Sequence, residues 1–182
     1  MLIKIETEEK YYCLDSKKLI ERIKELGFAE LDSKDESDEY FTDINSEFIE
    51  NRTCLRIRKT NNSRMEVTFK GKSSSLLGQY CKLENNISAN IDEYENFVSL
   101  FTSLGFYSYV IVEKERLTFT KQDGQYKYSI MIDKLPNIGG FVEFEIISEL
   151  DAKREELNYA LRTFINNFKD LGLKRKLDLI EM

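Results

Sequence analysis

Charged residues at every second position are where this sequence could do chemistry. Glu6 and Glu8 precede Lys10, Arg56 alternates with Arg58, Lys114 with Arg116, and Glu143 with Glu145. On an extended strand successive side chains point to opposite faces, so each pair projects from one face. The interleaved residues are largely apolar: Leu55 and Ile57 beside the arginines, Leu117 and Phe119 beyond Arg116, and Val142, Phe144 and Ile146 around the glutamates. By the same parity Lys4 joins Glu6, Glu8 and Lys10, while Glu66, Thr68 and Lys70 oppose Val67 and Phe69. Lys82, Glu84 and Asn86 oppose Leu83, and Asp133 lies with Met131 against Tyr128, Ile130 and Ile132. Carboxylates in this pattern suit hard divalent cations. Guanidinium forks and ammonium point charges suit phosphate oxygens. Like charges on neighbouring strands repel unless an opposite charge lies between them. A polyanion would neutralise the cations and a divalent metal the glutamates; a metal–triphosphate complex does both.

The chain of 182 residues contains no histidine. That excludes imidazole zinc sites, Ser-His-Asp and Cys-His nucleophile pairs, and a histidine general base. A metal must then sit on carboxylate oxygens, which favours Mg²⁺ or Mn²⁺. The net charge of −6 argues against a general nucleic-acid partner. Cys13, Cys54 and Cys81 have no CxxC spacing and read as reduced structural thiols. No apolar run approaches the roughly 18–20 residues of a membrane-spanning helix, and no signal peptide is apparent. The expectation is a cytoplasmic protein without a membrane partner.

Three amphipathic helices must position these strands: Asp15 to Leu26, about Asp92 to Leu104, and Asp151 to Leu171. Each runs into Leu-Gly, with Gly27, Gly105 and Gly172 as left-handed stops. Asp15, Ser16 and Asp92 are candidate N-caps. Residues 72–78 and 44–53 read as loops, and the run Lys174-Arg175-Lys176, with Glu9 and Glu115, reads as solvated charge. Tyr40 and Phe41 read as core. The length suits one domain over 1–182. A solvated face ordinarily mixes in Ser, Thr, Asn and Gln, whereas these strands present almost only Lys, Arg, Glu and Asp. An open sheet would also leave two edges, which closure removes. The expected fold is α+β, an antiparallel eight-stranded β-barrel closed around a charged tunnel, with the helices flanking it. A helix–Gly–strand unit recurs, so the chain reads as two similar halves plus a C-terminal helix.

Glu6-Thr7-Glu8-Glu9-Lys10 matches the ExExK signature of the CYTH superfamily, the triphosphate tunnel metalloenzymes. Further segments follow in the family's order: Asp38-Glu39-Tyr40-Phe41-Thr42-Asp43, Leu55-Arg56-Ile57-Arg58, Phe69-Lys70-Gly71 and Lys82-Leu83-Glu84. Glu113-Lys114-Glu115-Arg116, Ile132-Asp133 and Gly139-Gly140-Phe141-Val142-Glu143-Phe144-Glu145 complete the series. The sequence is most similar to the class IV adenylyl cyclase and thiamine triphosphatase branch. The resemblance implies that Glu6, Glu8, Glu143 and Glu145 coordinate Mg²⁺ or Mn²⁺, with Asp133 and Glu84 as secondary metal or cation-orienting groups. It implies that Lys4, Lys10, Arg56, Arg58, Lys70, Lys82, Lys114 and Arg116 hold a triphosphate, and that Lys10, Lys114 and Arg116 serve the reaction itself. Family members often carry Arg-x-Glu-x-Glu/Asp where this chain has Lys82-Leu83-Glu84-Asn85-Asn86, one fork and one carboxylate fewer. Related cyclases form dimers, which makes a homodimer an expectation here.

The same residues serve two reactions. Water attacking the triphosphate makes a triphosphatase acting on tripolyphosphate, a nucleoside triphosphate or thiamine triphosphate. The ribose 3′-hydroxyl of ATP attacking the α-phosphate makes an adenylate cyclase releasing cyclic AMP and pyrophosphate. The phosphate-gripping residues are legible and the nucleotide-gripping ones are not, which favours the phosphohydrolase. A non-catalytic polyphosphate or nucleotide-binding module is the remaining alternative.

Overall fold

Alternation of apolar and charged residues is what the sheet is built from. A computed structural model describes residues 5–13, 15–71, 84–148 and 154–175, without the side chains of Ile5, Glu6, Glu84 and Arg154. Its elements are β1 (Ile5–Cys13), α1 (Ser16–Glu25), β2 (Ala29–Asp43), α2 (Glu47–Glu50), β3 (Cys54–Thr60), β4 (Arg64–Lys70) and β5 (Glu84–Asn90). They continue with α3 (Tyr94–Ser103), β6 (Phe106–Asp123), β7 (Tyr126–Leu135), β8 (Gly139–Ser148) and α4 (Arg154–Ile165). The fold is α+β, with one eight-stranded antiparallel sheet in the order β1-β8-β7-β6-β2-β3-β4-β5. That order has two ends. Among the described residues no hydrogen-bonded ladder joins β1 to β5, so strand pairing there does not make the expected closed barrel.

The chain forms two compact units, Met1–Ser33 with Glu115–Met182, and Lys34–Lys114. In the first, the Asp15 carboxylate accepts from the Lys18 N–H at 3.2 Å and caps α1. Gly27 then ends the helix at φ +78°, where a side chain would be strained. Leu19 and Ile23 of α1 and Leu157, Leu161 and Phe164 of α4 pack with Phe119, Ile130, Val142, Phe144 and Ile146 from the sheet's apolar face. Fully burying a side chain such as Phe144 contributes about 1.5–3 kcal/mol, so this face fixes the register of β6, β7 and β8. The helix expected over 151–171 changes pitch after Ile165, becoming 3₁₀ over Asn166–Leu171. There Asn167 Nδ2 donates to the carbonyls of Thr163 and Phe164 at 3.3 and 2.8 Å, competing with the helix's own donors. Lys174 exchanges two backbone hydrogen bonds with Tyr12, and Arg175, still 56% exposed, pairs with Glu9 at 2.8 Å, so these two residues of the expected solvated run are tied to β1, while Lys176 lies outside the described residues.

In the second unit α3 lays Phe97 and Phe101 over Phe41, Leu55, Ile57, Met65 and Val67, with the Phe41 and Phe101 rings edge-to-face at 5.1 Å. The cap expected at Asp92 falls two residues earlier. Asn90 accepts from the Asp92 N–H, opening a 3₁₀ turn over Ile91–Glu93. The loop expected over 44–53 contains α2, whose first turn is tied by Asp43, accepting from the N–H groups of Glu47 and Phe48. Cys13 is a buried free thiol. Cys81 and the loop expected over 72–78 lie outside the described residues.

Candidate functional site

In the first unit the charged face of β1, β8, β7 and β6 gathers the acidic residues. Lys10 is the register partner of Glu143, and Glu8 of Glu145, so all four side chains share a face. Arg116 pairs with Asp133 across β6 and β7. Its Nε and Nη2 reach Asp133 Oδ1 and Oδ2 at 2.6 and 2.7 Å, a bidentate fork. The same Nη2 donates to Glu143 Oε2 at 2.9 Å. Lys10 Nζ stands 3.5 Å from Asp133 and 3.9 Å from Glu143. The side chain of Asp133 is only 1% exposed while that of Lys10 is 47% exposed, so the lysine reaches solvent and the aspartate anchors the network. Burial pushes the Glu143 carboxyl up, but Lys10, Arg116 and a hydrogen bond with Glu8 outweigh it, holding it below the ordinary carboxylate value.

The second unit gathers the cations. Asp38 is the register partner of Arg58, and Tyr40 of Arg56. Arg58 Nε and Nη2 grip Asp38 Oδ1 and Oδ2 at 2.6 and 2.7 Å, while Nη1 lies 3.3 Å from Glu36. Lys114 Nζ is 3.3 Å from Glu36 and 3.5 Å from Asp38. Arg56 reaches Asp38 at 3.7 Å, Glu66 at 3.9 Å and the Thr68 hydroxyl at 3.1 Å, and its buried Nε meets no hydrogen-bond acceptor among the described residues. Thr68 donates onward to Asn86 at 2.8 Å. Burial raises the Asp38 carboxyl, yet Arg58, Arg56 and Lys114 together hold it below its ordinary value. Lys70 lies two residues beyond Thr68 on the same face, opposite Cys54.

The structure thus brings Lys10, Arg116, Asp133, Glu8, Glu143 and Glu145 to one face, and Arg56, Arg58 and Lys114 to another cluster. Two expectations change. Lys114 and Arg116 alternate on one strand, but they serve different carboxylates, Glu36 and Asp38 for the lysine, Asp133 and Glu143 for the arginine. The cations also have buried internal anions, so they do not depend on an outside polyanion for neutrality. Asp38 entered the sequence reading only as part of a family segment, with no role, and Glu36 not at all, although their alternation on the strand that carries Tyr40 was available as a signal. Tyr40, expected in the core with Phe41, lies on the charged face, and of the two only Phe41 is fully buried, at 2% exposure on the opposite face. Lys4 and Lys82 lie outside the described residues, as do the side chains of Glu6 and Glu84.

Oxygen donors on the Glu8–Glu145 pair suit Mg²⁺ or Mn²⁺. Among the described residues no three carboxylates are grouped closely enough to cage a metal by themselves. Mg²⁺ ordinarily takes one or two carboxylates and completes its octahedron with phosphate oxygens and water, so the donor set fits. No helix among the described residues is long and apolar enough to cross a membrane.

A protein-family model, the CYTH domain, matches residues 4–179. A candidate adenylate cyclase of Methanocaldococcus jannaschii is 31% identical over 170 residues, covering 91% of this chain and 92% of that protein. Of the solved structures, a Pyrococcus horikoshii OT3 protein superposes with a TM-score of 0.70 at 22% identity, covering 97% of this chain and 98% of its own. A candidate adenylyl cyclase from Hippeastrum, described as revealing a dominant triphosphatase activity, gives a TM-score of 0.65 at 14% identity over 96% and 91% of the two chains. At such identities the two structures speak for the fold alone. The family match spans residues of both units and the archaeal relative matches along nearly its whole length: the chain belongs to the CYTH domain family.

Proposed function

We propose that this chain is a divalent-metal-dependent phosphohydrolase that cleaves a triphosphate, whether tripolyphosphate, a nucleoside triphosphate or thiamine triphosphate. The observation that carries this reading is the direct opposition of Glu8 and Glu145 across the β1–β8 ladder. Like charges in that position weaken a sheet, and a cation beside them turns the cost into a binding site. Glu6, Glu8, Glu143 and Glu145 hold Mg²⁺ or Mn²⁺ in this reading, with Asp133 and Glu84 in support. The bound cation supplies charge neutralisation and polarisation of a phosphoryl oxygen.

The chain's own groups do the rest. Arg56, Arg58, Lys70, Lys82, Lys114 and Lys4 bind phosphate oxygens, and phosphoryl transfer asks little more of a protein than such positioning and charge. Asp38 and Asp133 lock Arg58 and Arg116 by forked bonds, so each guanidinium meets its phosphate already oriented. Lys10, within 3.5 Å of Asp133 and open to solvent, carries a proton toward the leaving phosphate oxygen. Water supplies the nucleophile, and the bond between phosphorus and the bridging oxygen breaks.

Adenylate cyclase is the second reading, favoured by the name of the archaeal relative. Product analysis with Mg²⁺ or Mn²⁺, on ATP and separately on tripolyphosphate, decides. Orthophosphate from either, lost in Glu143→Ala, is the expected result. Cyclic AMP with pyrophosphate from ATP would replace the proposal by the cyclase, and silence with every substrate and both metals would leave a binding module.

A further inference from the structure

Neither ion pairing nor core packing accounts for two tyrosines of the second unit. Tyr40 is the register partner of Arg56, so its side chain stands on the face that carries the cations. Its ring centroid is 6.4 Å from that of Tyr109 on β6, with 55° between the planes. Neither ring belongs to the core around Phe41 and Phe101. Tyr109 is 45% exposed, and Tyr107 and Ile111, at the same parity along the strand, are exposed as well. A run of exposed apolar side chains marks a surface with something to bind. Here it adjoins a guanidinium, so the occupant that matches both carries a flat ring at one end and negative charge at the other.

We propose that Tyr40 and Tyr109 receive the heteroaromatic ring of an organic triphosphate, a nucleobase or the ring system of thiamine, next to the phosphate contact made by Arg56. This rests on the triphosphate reading above and narrows it: the preferred ligand is organic, because inorganic tripolyphosphate offers nothing to the tyrosines. Ring stacking on an aromatic side chain is sequence-tolerant and strong enough to shift affinity about tenfold or more.

The test is calorimetric titration of the full chain in EDTA with ATP, thiamine triphosphate and tripolyphosphate. At least one organic ligand should bind about tenfold more tightly than tripolyphosphate, and Tyr109→Ala should erase that ratio. Tyr109→Phe, which keeps the ring, should retain it, and Tyr109→Leu, which keeps apolar bulk, should lose it. The ligand whose ratio moves identifies the ring. A ratio unmoved by both Tyr109→Ala and Tyr109→Leu, a preference for tripolyphosphate in the unaltered chain, or no binding of any of the three would overturn the proposal. Turnover in Mg²⁺ is read separately. Binding through Tyr109 without release of any phosphate product would sink the phosphohydrolase and leave the ring site standing, while hydrolysis with a flat ratio would do the reverse.

Discussion

The two units use one device with opposite surroundings. Arg58 on Asp38 and Arg116 on Asp133 are forks of matching geometry, 2.6 and 2.7 Å in each, on aspartates whose side chains are 1% exposed. Around Asp38 crowd Arg56 and Lys114 as well. Around Asp133 stand Lys10 and Arg116, and the neighbouring residues Glu143, Glu8 and Glu145 are acidic. A buried ion pair roughly offsets its own desolvation cost. The fork therefore fixes an arginine in place, and its neighbours decide whether the site favours anions or cations. In the second unit Arg56, Arg58 and Lys114 meet Glu36, Asp38 and Glu66, whereas in the first Lys10 and Arg116 share a face with Asp133, Glu8, Glu143 and Glu145.

Removing the anchors breaks the comparison most severely. Asp38→Ala should cost about 3–5 kcal/mol, the range for breaking a buried pair, because Arg56, Arg58 and Lys114 all lose their shared acceptor, and Glu36, 3.3 Å from Arg58 and Lys114, must then serve two cations at once. Asp133→Ala should cost less, about 2 kcal/mol, since Glu143 remains 2.9 Å from Arg116 and takes up its charge. Urea denaturation of both variants measures the difference. Equal losses, or a larger one at Asp133, would mean that the surroundings do not set the balance.

Next in size is the acidic face. Glu145→Gln should lower kcat/KM in Mg²⁺ about a hundredfold, the upper scale for disturbing a metal environment. The same change relieves the opposition to Glu8 and should raise stability by about 0.2–1 kcal/mol. Activity and urea midpoint must move in opposite directions; a variant that loses both would show that Glu145 is structural.

Acid should act through the second unit's anchor. The Asp38 carboxyl titrates below its ordinary 3.8 when folded, so the unfolded chain takes up its proton first. The stabilisation is complete above about pH 5 and is lost as pH falls through the ordinary value toward the folded one. Asp38→Asn should flatten the fall in urea midpoint between about pH 5 and pH 3. Glu143, held down by Lys10 and Arg116, and Asp43 and Asp170, depressed by hydrogen bonds and by Arg22 at Asp170, leave a residual slope. An unchanged slope in Asp38→Asn would place the acid response elsewhere.

The faces of β3, β4, β7 and β8 were legible because each strand packs one side against a core and charges the other. β2 was not. Its first residues are exposed on both faces, so Ala29 to Asp35 offers no apolar alternation from which to read a strand. Glu36 and Asp38 follow that stretch, which hid the anions that hold Arg58 and Lys114. Parity assigns a face but not a neighbour. Lys114 and Arg116 looked like one pair because nothing local says which carboxylates the adjoining strands bring, and that pairing is set by residues far apart in sequence. Tyr40 was the reverse case: the period of two that buries Phe41 already turned Tyr40 toward Arg56, and hydrophobicity alone obscured it.

The smallest effect concerns the brace on the face of β1 opposite the acidic cluster. Lys174 holds Tyr12 through backbone bonds of 2.8 and 3.2 Å, and Arg175 reaches Glu9 at 2.8 Å and the Tyr11 hydroxyl at 3.2 Å. Glu9 and Tyr11 point away from Glu8 and Lys10, so the brace grips the strand from the face opposite the acidic cluster. Arg175 is 56% exposed, and an exposed pair is worth about 0.2–1 kcal/mol. Arg175→Ala should therefore shift the urea midpoint by that much near 0.1 M salt and by almost nothing near 1 M, where screening shortens to about 3 Å. The backbone bonds of Lys174 survive the substitution and keep β1 in register, so turnover should hold. A loss that persists in high salt and carries activity down with it would mean that Arg175 sets the position of Glu8 and Lys10. The acidic face would then depend on its brace rather than on its own ladder.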